Sequence, residues 1–190
     1  MFRIAFAALL ISSELLAITK AYEGPIEFGR PATIEELNAY PKTHFPDGLN
    51  LPKGQGSYPE GKKLYLQHCA SCHGKQMQGK TAFDAPRLIG GRGSLTGKGK
   101  PIKTVESFWP NPVSLYDYIS RAMPFLTPKI LSPNEVYALC AYIFAEARII
   151  PKTKIMDRNT LPKVSMPNKN GFIDPYAKQT TGKTLGLTDQ

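Results

Sequence analysis

The stretch Cys69-Ala70-Ser71-Cys72-His73 spells C-x-x-C-H, a spacing that lets a chain attach haem covalently. Two thiols add to the haem vinyl groups as thioethers, and the adjacent imidazole is available to the iron. Other chemistries for a close cysteine pair fit less well. A structural zinc site closes with four ligands. Beyond the motif only Cys140, His44 and His68 remain among Cys and His, and none stands at second-knuckle spacing. A redox C-x-x-C belongs in a βαβ context, and no strand pattern precedes Cys69. The motif therefore predicts one covalent haem c, anchored by Cys69 and Cys72, with His73 on the iron.

The sequence around the motif reads as all-α. A helix is predicted from about Pro59 to Ala70, with proline in the first turn, where its missing N–H is not needed. Gly61, Leu64, Tyr65 and His68 recur at helical spacing. His68 is read as the top of a solvated face rather than as a ligand. From Gly74 to Val105 the signal is loop, where Lys75, Lys80, Arg87, Arg92, Lys98, Lys100 and Lys103 oppose only Asp84. Such a run is either a solvated loop or a basic rim around a haem edge.

A second helix is predicted from Asn111-Pro112, cap and first-turn proline, to about Arg121, and Met123-Pro124 breaks it. A third opens on Ser132-Pro133-Asn134-Glu135, a capping box. Val136, Leu139, Cys140, Ile143, Phe144 and Ala147 form its apolar stripe. Arg148 is placed in its last turn against the helix dipole, and Pro151 stops it. Ala32 to Leu37 is a candidate short helix with Thr33 as N-cap and Glu36 three residues on.

The chain has 190 residues, 17 of them proline and 16 glycine, enough for one domain with a core plus extended arms. Residues 1–21 read as a secretory signal peptide, with Arg3 at its start and an apolar run from Ile4 to Ile18. Residues 22–56 read as an N-terminal arm, 57–150 as the haem domain and 151–190 as a C-terminal extension whose end is poorly ordered. Export implies a periplasmic protein, held at the membrane only if the signal segment is retained. The formal net charge is +9. Removing residues 1–21 takes away Arg3, Lys20 and Glu14, one net positive charge. Nucleic-acid binding would be an alternative use of that charge, but export argues against it.

Function turns on the second axial position. A thioether there indicates electron transfer; an open site indicates ligand binding or catalysis. Met77 lies too close behind His73 to reach the opposite haem face. Met123 stands between two helices, in a segment that Pro124 keeps extended, and is the preferred ligand. Met166-Pro167 repeats the local pattern and is its rival. The His73 ring needs an acceptor for its other N–H, and Pro86 is a candidate carrier of that carbonyl. Trp109 could donate its indole N–H to a haem propionate, and Arg92 could neutralise the same group. Cys140, in mid-stripe, reads as a small core residue rather than a ligand.

In this order, first helix, C-x-x-C-H, Met-Pro loop and last helix, the chain resembles a class I cytochrome c. Gly61 and Tyr65 match that family's first helix, Leu139 and Tyr142 its last, and the resemblance implies that these helices cross. Ala85-Pro86-Arg87-Leu88 looks like its proline-bearing loop behind the histidine. A narrower resemblance is carried by Gly29-Arg30-Pro31-Ala32-Thr33, Asp47-Gly48, Leu51-Pro52-Lys53-Gly54, Ser107-Phe108-Trp109-Pro110, Arg121-Ala122-Met123-Pro124-Phe125 and Met166-Pro167-Asn168. Together these look like the cytochrome c subunit of sulfane or sulfite dehydrogenases. Lys169-Asn170 departs from the Arg-Asp that often follows Met-Pro-Asn in that family.

That resemblance implies an electron-accepting subunit without catalytic residues of its own. It would pair with a molybdenum-cofactor dehydrogenase subunit and pass electrons to a downstream cytochrome c. A free electron shuttle and a haem enzyme with a labile sixth ligand are the alternatives.

Overall fold

A computed structural model describes residues 29–40, 42–80 and 85–173. The expected signal peptide and the expected tail from Thr180 lie outside these residues. Residues 29–40 belong to one compact unit, and those from Lys42 onward to a second.

The first unit holds α1, Ile34–Ala39. Thr33 caps it reciprocally: the Glu36 N–H donates to the Thr33 hydroxyl at 3.2 Å, and the Thr33 N–H donates to the Glu36 carboxylate at 2.9 Å. The helix starts two residues later than the sequence suggested, because Thr33 itself is the non-helical cap.

In the second unit, α2 runs Tyr58–His68 and α3 is the single turn Ala70–His73. The sequence reading began this segment at Pro59. The N-terminal signal is Ser57, whose N–H and hydroxyl both reach the Glu60 carboxylate, at 2.9 and 2.6 Å. α4 spans Val113–Ala122. Pro112, not Asn111, holds its cap position, and no side chain caps it. α5 spans Pro133–Glu146, capped by Ser132 and Glu135.

α5 is the centre of the unit. Every residue from Val136 to Ala145 is buried, so the apolar stripe predicted from periodicity is in fact an all-round core helix. α2 covers one side, where Gly61 faces the Ala138 carbonyl so closely that a Cβ would collide with it. Tyr65 and Tyr142 meet beside this crossing with ring centres 5.4 Å apart. α4 covers another side through Tyr116, whose ring centre lies 4.6 Å from that of Tyr137.

A third side is closed by a two-stranded antiparallel ribbon that the sequence reading did not contain. β1, Gln55–Gly56, pairs with β2, Met156–Asp157, in the register Gln55↔Asp157 and Gly56↔Met156. Thus segments expected as arms on either side of the haem domain pair with each other over its central helix. A 3₁₀ turn, Leu161–Lys163, follows.

α5 ends earlier than predicted. The Arg148 N–H donates to Ala145 O at 3.0 Å and the Ile149 N–H to Phe144 O at 2.9 Å, the paired bonds of a Schellman motif. Arg148 therefore sits beyond the last turn, with a left-handed φ of 55°.

Candidate haem-binding site

α3 presents the C-x-x-C-H residues on one tight turn. The Cys72 and His73 N–H groups both donate to Cys69 O, at 3.1 and 2.9 Å. Gly74, at φ 80°, ends the turn, and the buried Tyr65 hydroxyl donates to its carbonyl at 2.8 Å. Cys69 and Cys72 are free thiols, each half-buried, whereas Cys140 is fully buried within α5. Burial pushes the Cys69 thiol up to about 12, so it is neutral at physiological pH.

The loop after α3 returns behind the histidine. His73 Nδ1 lies 2.8 Å from Pro86 O. A carbonyl only accepts, so Nδ1 carries the proton and Nε2 keeps its lone pair. The loop is pinned at successive points: Gly79 N–H donates to His73 O at 2.8 Å, Leu88 N–H to Met77 O at 2.9 Å and Val105 N–H to Leu88 O at 3.1 Å. Pro86 is thus held by its neighbours, not by its ring alone.

The methionines separate by burial. Met77, Met156 and Met166 are 1%, 0% and 2% exposed, packed into the core. Met123 is only half-buried at the end of α4. Its φ of −120° and ψ of 145° are extended, as a residue before proline prefers.

Trp109 is half-buried, with its ring edge-on to Tyr118 at 6.0 Å. It shares a cleft of about 480 Å³ with Ser114, Asp117, Arg121 and Ala122, the residues that lead directly into Met123. Arg92 lies on a different cleft. Its Nε pairs with Glu106 at 2.6 Å and its Nη2 donates to Ala147 O at 2.7 Å.

The cation on the Trp109 cleft is Arg121, which the sequence marked only as a helix end and within the motif of residues 121–125, not as a haem contact. Arg121 Nε donates to Asp117 at 2.9 Å and its Nη2 to Lys42 O at 2.6 Å. Asp117 also accepts from the His44 backbone N–H at 3.2 Å and contacts His44 Nδ1 at 2.7 Å. Burial works upward on the Asp117 carboxyl, but the hydrogen bonds from Arg121 and His44 outweigh it and hold the carboxyl below its usual range. The Asp117/Arg121 spacing of four residues was the available sequence signal; His44, far away in sequence, gave none.

This donor set suits a covalent haem better than a bare metal ion. Among the described residues no group of three or more His, Cys, Asp or Glu side chains is gathered to hold an ion. Two free thiols and an imidazole with Nδ1 satisfied, presented on one turn, are groups that haem c uses, and Met123 offers a half-buried thioether at the end of α4. Leu88, Ile89, Trp109 and Leu131 are apolar side chains left partly buried at the core's margin, available to a large apolar cofactor.

Comparison with known proteins agrees. Residues 56–143 match the family model described as cytochrome c oxidase, cbb3-type, subunit III. The chain superposes with a TM-score of 0.71 on a chain of the sulfane dehydrogenase SoxCD from Paracoccus pantotrophus. The two are 33% identical, with 87% of this chain and 82% of that one covered. It is also 27% identical over 183 residues to a thiosulfate dehydrogenase of Stutzerimonas stutzeri (strain A1501), covering 92% of this chain but 53% of the relative. The chain therefore spans about half the length of that curated relative.

The fold is that of a class I cytochrome c, a class that carries covalent haem c. Within that class, the chain belongs to the family of sulfur-oxidation cytochromes represented by the SoxCD chain.

Proposed function

We propose that this cytochrome is the electron-accepting subunit of a periplasmic dehydrogenase that oxidises sulfite or sulfane sulfur. A molybdenum-cofactor subunit would carry the oxygen-atom chemistry, and a downstream cytochrome c would take the electrons. Likeness to the SoxCD chain, at 33% identity with 82% of that chain covered, supports this reading. In this layout residues 1–21 direct export and 57–150 hold a single haem, flanked by 22–56 and 151–190.

Haem bound here supplies a one-electron Fe(III)/Fe(II) couple. Cys69 and Cys72 hold it through thioethers. His73 offers Nε2 to the iron while Pro86 O retains the proton on Nδ1, which fixes the ring and its basicity. Met123 would supply a further iron ligand, a soft neutral sulfur that favours the reduced iron. Trp109 would donate its indole N–H to a propionate. Arg92, the expected counter-cation, lies on a different cleft from Trp109. Arg121, on the Trp109 cleft, would take that role.

The test is reduction of the haem-loaded chain by sulfite or a sulfane-sulfur donor, followed by its visible spectrum. Reduction only in the presence of a co-purifying molybdenum subunit upholds the reading. Likeness to a thiosulfate dehydrogenase favours a second reading, a haem enzyme with a labile sixth ligand. Reduction of the isolated chain by thiosulfate, with tight carbon monoxide binding to the reduced protein, would establish that reading instead.

A further inference from the structure

A cleft of about 570 Å³, distinct from the Trp109 cleft, is lined by Arg92, Arg148, Ser165, Lys169 and Asn170, together with apolar Ile149 and Met166. Three cations and two neutral donors face it, and no acidic side chain is among its described lining residues. Like charges gathered on one concave surface repel one another unless an anion joins them.

Two features show the cleft to be prepared for such an anion. Arg92 is locked in place: Nε is held by Glu106 at 2.6 Å and Nη2 by Ala147 O at 2.7 Å. Nη1 has no protein partner among the described residues. A guanidinium fixed in this way loses little freedom when it binds an oxyanion. Arg148 occupies the left-handed position of the Schellman motif, φ 55°, where glycine carries least strain. There a guanidinium, and not the glycine that would be least strained, is placed on the cleft.

We propose that this cleft binds a divalent tetrahedral oxyanion, of the sulfate or phosphate class, through charge-assisted hydrogen bonds from Arg92, Arg148 and Lys169. Ser165 and Asn170 add neutral donors, and the width of the cleft leaves room for bridging water. The proposal does not rest on the sulfur-dehydrogenase reading.

Titration of the haem-loaded full chain with sodium sulfate and with sodium phosphate, against sodium chloride at equal ionic strength, tests the site. The readouts are calorimetric heat and the unfolding temperature. A response beyond that of chloride is expected, because an anion bound only by the folded state stabilises it. It should disappear in Arg148→Gly and weaken several-fold in Lys169→Gln. Arg148→Gly relieves the backbone strain, so its loss of response cannot come from loss of fold. General salting effects on stability act on any surface and would persist in both variants. Sulfate binding supports a sulfur oxyanion as occupant and phosphate binding alone a phosphoryl group; either upholds the site. No response beyond chloride, or one undiminished in Arg148→Gly, overturns it.

Discussion

The Nδ1 atom of His73 and the carbonyl oxygen of Pro86 lie 2.8 Å apart, joining the C-x-x-C-H turn to the loop that passes behind it. With haem bound, this hydrogen bond would make the imidazole a better donor through Nε2 and favour ferric iron. Pro86→Ala keeps the carbonyl but frees its φ angle. The haem should stay covalently attached while the reduction potential rises. Spectroelectrochemical titration measures this, and an unchanged potential would show that the Leu88–Met77 bond alone holds the carbonyl in place.

Met123 and Met166 separate by the opposite consequences of their loss. Met123 is half-buried and Met166 is 2% exposed. Met123→Ala should abolish the weak long-wavelength sulfur-to-Fe(III) band and leave the helical fold intact. Met166→Ala should keep the band and destabilise the protein by about 2–5 kcal/mol, as expected for an emptied core position. A band that survives Met123→Ala would transfer the ligand role to another methionine.

Local signals in this sequence were legible and long-range ones were not. Thr33/Glu36 and Ser132/Glu135 announce helix starts because a capping box is confined to four residues. Ser57/Glu60 has the same spacing and marks the start of α2, beside the Pro59 signal. β1 and β2 are two residues each, too short to show any alternation. Periodicity assigned α5 one apolar stripe, because nothing local reveals that Pro52 O and Met156 lie on its far sides. In the site, the C-x-x-C-H turn and the Pro86 loop are near neighbours in sequence and could be paired. The joining of His44 to Asp117 spans 73 residues and could not.

The crossing of α2 and α5 depends on Gly61. A Cβ there would meet the Ala138 carbonyl and the Tyr142 Cβ at distances no packed core accepts. Gly61→Ala must push the helices apart, against the better helix propensity of alanine. Overpacking of this kind costs about 1–3 kcal/mol, while alanine's propensity returns about 1 kcal/mol at most. Because backbone is the obstacle, the upper end of that cost applies. Urea unfolding of the haem-loaded protein should show a lower midpoint; a midpoint equal to the native one would mean that the crossing adjusts freely.

Asp117 couples His44, Arg121 and the end of the helix that presents Met123, and its contribution depends on pH. Its folded-state carboxyl titrates below the ordinary value. The stabilisation is therefore complete above the unfolded-state value of about 3.9 and is lost as pH falls through the depressed folded value. Asp117→Asn removes the charge but keeps most of the shape, leaving Arg121 without its ionic acceptor. At neutral pH the variant should be less stable by roughly 1.5–3 kcal/mol, the range for hydrogen bonds to a charged group. Below the depressed value, where the native carboxyl is protonated as well, the two proteins should converge. Unfolding midpoints of both proteins across the acid range provide the measurement, and a stability gap independent of pH would mean that the Asp117 charge contributes nothing to the fold.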